Sequence, residues 1–197
     1  MSPQIRQARP EDRAALFSIC LLTADGGTDG SALYSDPDYP GLVWSVPYLA
    51  FAPEHAFVLE DGDAVLGYVV GAADTRAFER RLDANWWPTL AEKYAGREAA
   101  TKHDKNVLDR IRAPKHGNAS LSERYPAHLH INLLPAAQSG GWGRRMIETE
   151  LDSLRKAGVE AMHLGLSLTN DRAYGFYKHI GLSEIGRDEA IWMGITL

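Results

Sequence analysis

The chain has 197 residues, a formal net charge of −5 and one cysteine, Cys20. That length suits a single domain with a well-buried core and is short for two. The mild acidity argues against nucleic acid as the main partner, and no apolar run approaches the roughly 20 residues that span a bilayer. A lone cysteine excludes an intrachain disulfide framework. With no basic-then-apolar leader after Met1, the expected setting is the reducing cytoplasm.

Residues 4–8 read as a short strand. Pro10, Glu11 and Asp12 suit the first turn of a helix, because proline has no N–H to lose there and acids face the positive end of the dipole. Leu16, Ile19 and Cys20 continue an apolar face, with Cys20 as a buried small hydrophobe. Asp25, Gly26 and Gly27 stop this helix. A second helix is expected over 40–49, its regularity limited by Pro47. Residues 56–60 and 64–73 are β-rich runs around Asp61-Gly62-Asp63, a hairpin signal. Residues 75–126 are polar, charged and helix-prone. They read as an insertion of about two helices before the next strand, too poor in aliphatics to be a domain. Within it Trp86 and Trp87 cannot face the same way, so one packs and the other is free to cover a cleft or a partner. A strand at 127–134 follows, then a helix over 140–157 closed by Gly158, and a strand at 161–168. A helix over 170–180 closed by Gly181 and strands at 182–185 and 190–196 complete the chain.

The most informative segment joins the 127–134 strand to the following helix: Gln138-Ser139-Gly140-Gly141-Trp142-Gly143-Arg144-Arg145. The glycines let backbone approach a ligand closely and turn tightly. Free N–H groups at the helix start, with the dipole behind them, suit a pyrophosphate, and Arg144 and Arg145 add charge. The segment is neither a Walker loop, which ends in Gly-Lys-Ser/Thr, nor a dinucleotide turn, whose glycine spacing differs.

Gln138-x-x-Gly141-x-Gly143 after Leu133-Leu134-Pro135 resembles the acetyl-CoA motif of the GNAT superfamily of N-acetyltransferases. Downstream, Asn170-Asp-Arg-Ala173-Tyr-Gly-Phe176-Tyr177, followed by Gly181 and Leu182, resembles the second signature of that superfamily. Asn170 also suits a helix cap. The strand from Pro126 to Asn132 and the long helical insertion are similar to bacterial relatives of the acetyltransferase-like domain of O-GlcNAcase. The resemblance covers most of the chain. It implies an α/β fold of the α+β type: a mixed, mostly antiparallel central sheet of about seven strands flanked by helices.

The resemblance also implies a reaction in which an amine attacks the acetyl-CoA thioester directly. It assigns the pyrophosphate to the Gln138–Arg145 turn and the pantetheine arm to the side of the small Ala173. Phe176 packs inward. A backbone N–H near Leu133 or Leu134 receives the carbonyl oxygen, left unpaired where a neighbouring strand splays away. Tyr177 protonates the departing thiolate. The base is less legible. By strand alternation His128, His130 and Asn132 share one face. Such a polar face on a central strand either borders the acceptor site or is internally hydrogen-bonded. His130, nearer the carbonyl end, is the better base, and Glu123 a weaker one. Two histidines without a third ligand make no metal site. Asp29, Tyr34 and Asp36 are candidates for the acceptor wall.

The leading expectation is therefore an acetyl-CoA-dependent N-acetyltransferase acting on a small amine or a peptide lysine, as a monomer or homodimer. The alternative is a non-catalytic acyl-CoA or peptide-binding module of the same fold.

Overall fold

A computed structural model describes residues 2–197. Seven strands form one open sheet in the order β1-β2-β3-β4-β5-β7-β6. They are β1 (Gln4–Gln7), β2 (Ala56–Asp61), β3 (Ala64–Ala72), β4 (Ala127–Leu133), β5 (Ala161–Leu166), β6 (Ser183–Arg187) and β7 (Ile191–Thr196). Every neighbouring pair is antiparallel except β4 and β5. The expected α/β class and mostly antiparallel sheet are both present. Gly62, at φ 61°, turns the chain between β2 and β3, the left-handed geometry that its Asp-Gly sequence favours.

The parallel pair positions the site. β4 and β5 are in register only at Ala127↔Met162 and His128↔His163. Past that point the strands part. Leu134 donates its N–H to the Leu66 carbonyl at 2.9 Å, so by alternation the N–H of Leu133 points away from β3, into the gap.

Strand alternation also divides the core. Val58, Tyr68 and Val70 face α1 (Arg13–Leu22), α2 (Tyr39–Trp44) and α3 (Val46–Phe51). Leu59, Val69 and Leu129 face α8 (Trp142–Lys156). The single helix expected over 40–49 is two short ones, broken at Ser45 (φ −140°, ψ −59°). Pro47 is the cause: it has no N–H, and its ring clashes with the carbonyl four residues earlier.

The insertion also differs from expectation. It holds four helices: α4 (Thr75–Asn85), α5 (Trp87–Lys93), α6 (Lys102–Arg112) and α7 (Ala119–Arg124). Phe78, Leu82, Trp87, Leu90, Val107, Leu108 and Ile111 are buried in the same core as α1–α3. These residues recur at helical spacing, so an overall polar composition hid an ordinary apolar stripe. Neither tryptophan lies on the cleft: Trp87 is buried, and Trp86 donates Nε1–H to the Leu42 carbonyl at 3.0 Å.

α8 carries one buried acid, Glu150, whose two carboxyl oxygens have no hydrogen-bond partner among the described residues. His55 Nδ1 lies 3.5 Å away but is engaged with Ser153 Oγ at 2.9 Å. Ser153 gives its own proton to the Glu54 carbonyl, so the imidazole donates to it. Burial lowers the His55 pKa and pushes Glu150 up to about 9, so the contact joins two neutral groups. The folded state keeps the Glu150 proton that the unfolded chain loses near pH 4.3, and stability must fall as pH rises. His55, like the other buried histidines His128, His130 and His163, has the opposite trend through the ordinary range near 6.5, which leaves pH 7.5 to 8.5 to Glu150. Thermal melts there should show the parent losing up to about 1.4 kcal/mol, or about 3–5 °C, per pH unit. Glu150→Gln should flatten that slope; an unchanged slope would mean that Glu150 ionises normally.

Candidate active site

A cavity of about 580 Å³ occupies the gap between β4 and β5. Its walls come from Leu129–Leu133, Leu164–Leu166, the start of α8, α9 (Asp171–His179), and Thr23, Gly26 and Gly27 after α1.

Gly140 and Gly141 are both left-handed, at φ 72° and 76°, and Gly141 caps α8. This conformation, which glycine adopts without strain, aims the first N–H groups of α8 outward. A Cβ built on Gly141 would meet nothing within 4 Å, whereas one on Gly143 would lie 3.3 Å from Phe176 and 3.4 Å from Leu133. Gly143 therefore serves close packing of α8 against α9 and β4, and Gly141 leaves space. Gln138 holds the turn in place: Nε2 donates to the Leu133 carbonyl at 2.9 Å and to the Gly27 carbonyl at 3.2 Å.

Gln138, Gly141, Trp142, Gly143 and Arg144 line the cavity. Arg144 is also paired with Glu148 at 2.7 Å. Ser139 and Gly140 are exposed in the turn outside the cavity wall. Arg145 lies over the Trp142 ring, 4.6 Å from its centroid. Leu134 spends its N–H on Leu66 and packs its side chain into the α1–α3 core. Of the two expected carbonyl-binding amides, Leu133 alone remains open.

On α9, Asn170 Oδ1 accepts the Ala173 N–H at 3.0 Å. Asn170, Ala173, Phe176 and Tyr177 all line the cavity. Burial pushes the Tyr177 phenol up to about 12, so it is protonated near neutral pH.

The polar face of β4 has three different fates. His128 is structural and not on the cavity wall, which corrects its expected place at the acceptor. Its Nε2 lies 2.7 Å from Tyr48 Oη and its Nδ1 2.7 Å from Thr75 Oγ1. Thr75 donates its only hydroxyl proton to the Pro126 carbonyl. His128 must then donate through Nδ1 and accept from Tyr48, a neutral tautomer consistent with a pKa held well below the usual range by burial. Asn132 borders the cavity with its amide engaged: Oδ1 accepts from Tyr68 and Nδ2 donates to Thr23. His130 differs. The residue borders the cavity, and its imidazole lies edge-on to Tyr48 at 5.4 Å, with no hydrogen bond among the described residues. Burial, with the positive charge of Arg110 and the neighbouring His163, lowers its pKa to about 4.

The other acceptor candidates point elsewhere. Asp29 is exposed and caps its own turn through the Ser31 N–H and hydroxyl. Tyr34 packs edge-on against His103 of α6 at 5.5 Å. That loop is held to the insertion because the buried Asp104, which closes the α6 capping box, also accepts the Ser35 N–H. Asp36 accepts the Asp38 N–H, and Glu123 is exposed on α7; neither lines the cavity. The wall instead includes Gly26 and Gly27, at the start of the 26–48 segment expected to border the acceptor, together with Thr23 and Arg172, neither of which was expected there. Arg172 carried a signal: it is a cation in the first turn of α9, where the dipole favours acids.

A family model described as the acetyltransferase (GNAT) family matches residues 28–182. Protein O-GlcNAcase of Rattus norvegicus is 25% identical over 188 residues, covering 94% of this chain and 20% of the relative, so the chain spans about a fifth of that relative's length. The crystal structure of SsHAT is 36% identical with a TM-score of 0.87, covering 100% of this chain and 98% of that one. The structure of yncA from Salmonella typhimurium with its cofactor acetyl-CoA is 16% identical with a TM-score of 0.58, covering 100% and 95%, a likeness of fold. On the extent of the family match and the full-length likeness to SsHAT, the chain belongs to the acetyltransferase (GNAT) family.

Proposed function

We propose that the chain transfers an acetyl group from acetyl-CoA to a primary amine by direct attack on the thioester. The observation that carries this reading is one cavity bounded by the α8 start, the open side of β4 and the Tyr177 phenol. The space beside Gly141 and the outward N–H groups of α8 fit a pyrophosphate. Ala173 and Asn170 would flank the arm, and Arg172 would add a cation beside it. The Leu133 N–H would donate to the carbonyl oxygen as charge develops there. Tyr177 would protonate the leaving sulfur, and His130, directly or through water, would take the proton from the attacking nitrogen. Action in the cytoplasm as a monomer or homodimer belongs to the same reading. No helix among the described residues is long and apolar enough to cross a membrane.

Calorimetry with acetyl-CoA and thiol release against an amine panel test this together. Saturable binding and amine-dependent thiol release are expected. His130→Gln should lower turnover by about tenfold or more and leave acetyl-CoA affinity within about twofold, because the imidazole would act on the acceptor. Binding without thiol release for any amine would instead support a non-catalytic acyl-CoA-binding module, a reading favoured by the absence, among the described residues, of a carboxylate base from the cavity wall.

A further inference from the structure

The charge of the cavity wall restricts the acceptor. Its ionised side chains are Arg144 and Arg172, its histidines are His130 and His179, and no Asp or Glu belongs to it among the described residues. The carboxylates nearest in sequence to the acceptor side do not reach it. Asp29 is committed to Ser31 and Asp36 to the Asp38 amide, and Asp25 is exposed. Asn132, isosteric with aspartate, presents a neutral amide already paired with Tyr68 and Thr23.

Charge behind the wall has the same sign. Arg110 of α6 acts on both His128 and His130, and its Nε is buried without a partner. Glu79 is the opposing acid, and its field falls on Tyr48, behind the histidines. An alkylammonium entering here would give up its hydration and meet no anion in exchange.

We propose that this site acetylates weakly basic primary amines, those substantially uncharged near neutral pH such as a peptide α-amino group, and discriminates against lysine side chains and polyamines. The proposal rests on the acetyl-transfer reading above. Proton accounting agrees with it. When a neutral amine attacks, the N–C bond forms, the C–S bond breaks, and the one proton lost by nitrogen equals the one gained by sulfur. His130 would need to hold that proton only in passing, and Tyr177 would deliver its own to sulfur before being reprotonated. An ammonium must first shed an additional proton. His130 is a poor acceptor for it, being held neutral by burial and by Arg110.

Lysine amide offers both kinds of nitrogen in one molecule. With an α-amine near 8 and an ε-amine near 10.4, the uncharged fractions at pH 7.5 differ by about 10². Tandem mass spectrometry should place enzyme-dependent acetyl on the α-nitrogen over the ε-nitrogen by about 10². Asn132→Asp, which adds a carboxylate without changing shape, should raise ε-acetylation relative to α-acetylation by about tenfold or more. As a readout independent of turnover, calorimetry on the CoA complex should show putrescine binding the parent at least about tenfold more weakly than Asn132→Asp. Acetyl-CoA affinity is measured alongside on both proteins. Equal or preferred ε-acetylation by the parent, or acetyl-CoA binding with acetylation of neither nitrogen, would overturn the proposal. Failure to bind acetyl-CoA would instead remove the acetyl-transfer reading itself, and this one with it.

Discussion

A Gly141→Glu variant is expected to lose at least about a hundredfold in acetyl-CoA affinity, which corresponds to about 2.7 kcal/mol. Two effects would act in that variant. Gly141 sits at φ 76° at the N-cap of α8, so any side chain there strains the backbone by about 1–2 kcal/mol. Its Cβ direction leads into open space, so a longer side chain would occupy the volume assigned to the pyrophosphate and bring a negative charge to it. Gly141→Ala separates these effects, since it carries the strain with little bulk and no charge. Alanine should shift thermal stability about as much as glutamate does, yet retain most of the affinity. If the two variants bind acetyl-CoA equally, the space beside Gly141 is not where the ligand lies. The α8 core contacts of Met146, Ile147 and Leu151 lie farther along the helix, so both variants should fold.

Legibility in the sequence followed the range of the interaction that determined each feature. Gly62, Gly141, Gly158 and Gly181 announced their turns because left-handed geometry is a property of one residue and its neighbours. The same is true of Asn170, whose cap spans three residues. The face shared by His128, His130 and Asn132 was equally legible, since alternation is local. Their division of labour was not. His128 is removed from the cavity by Tyr48 and Thr75, and Asn132 is paired by Tyr68 and Thr23. Those partners come from α3, α4, β3 and the end of α1, and only tertiary packing brings them together. Asp29 and Tyr34 were misplaced for a related reason. Their loop is anchored by Asp104, a residue of the insertion, so its position depends on a segment whose own packing composition concealed. Leu134 was excluded by the phase of a hydrogen-bond ladder, which a sequence does not display.

Tyr177→Phe is expected to lower turnover by about 10²-fold, within the range of ~10²–10⁴ typical of a positioned general acid. Tyr177 lines the cavity from α9, one helical turn before Gly181 closes that helix. Burial holds it up to about 12, so the acid form is fully present at working pH and no loss of the proton donor should appear below about pH 10. Its hydroxyl has no partner among the described residues, so the phenylalanine variant breaks no hydrogen bond of the fold. The ring packs beside Phe176, with centroids 5.3 Å apart, a contact that phenylalanine keeps. Stability should therefore stay within about 0.5 kcal/mol of the parent. Acetyl-CoA affinity should change less than about threefold, because the proton is needed as the C–S bond breaks and not when the ligand binds. The measurement is single-turnover acetyl transfer, where chemistry sets the rate, with calorimetry and thermal melts beside it. A rate equal to the parent would mean that water or another donor protonates the sulfur. Parallel losses of affinity and stability would reassign Tyr177 to packing alone. A selective loss of rate, larger for poorly stabilised thiolates than for activated thioesters, would identify the phenol as the acid.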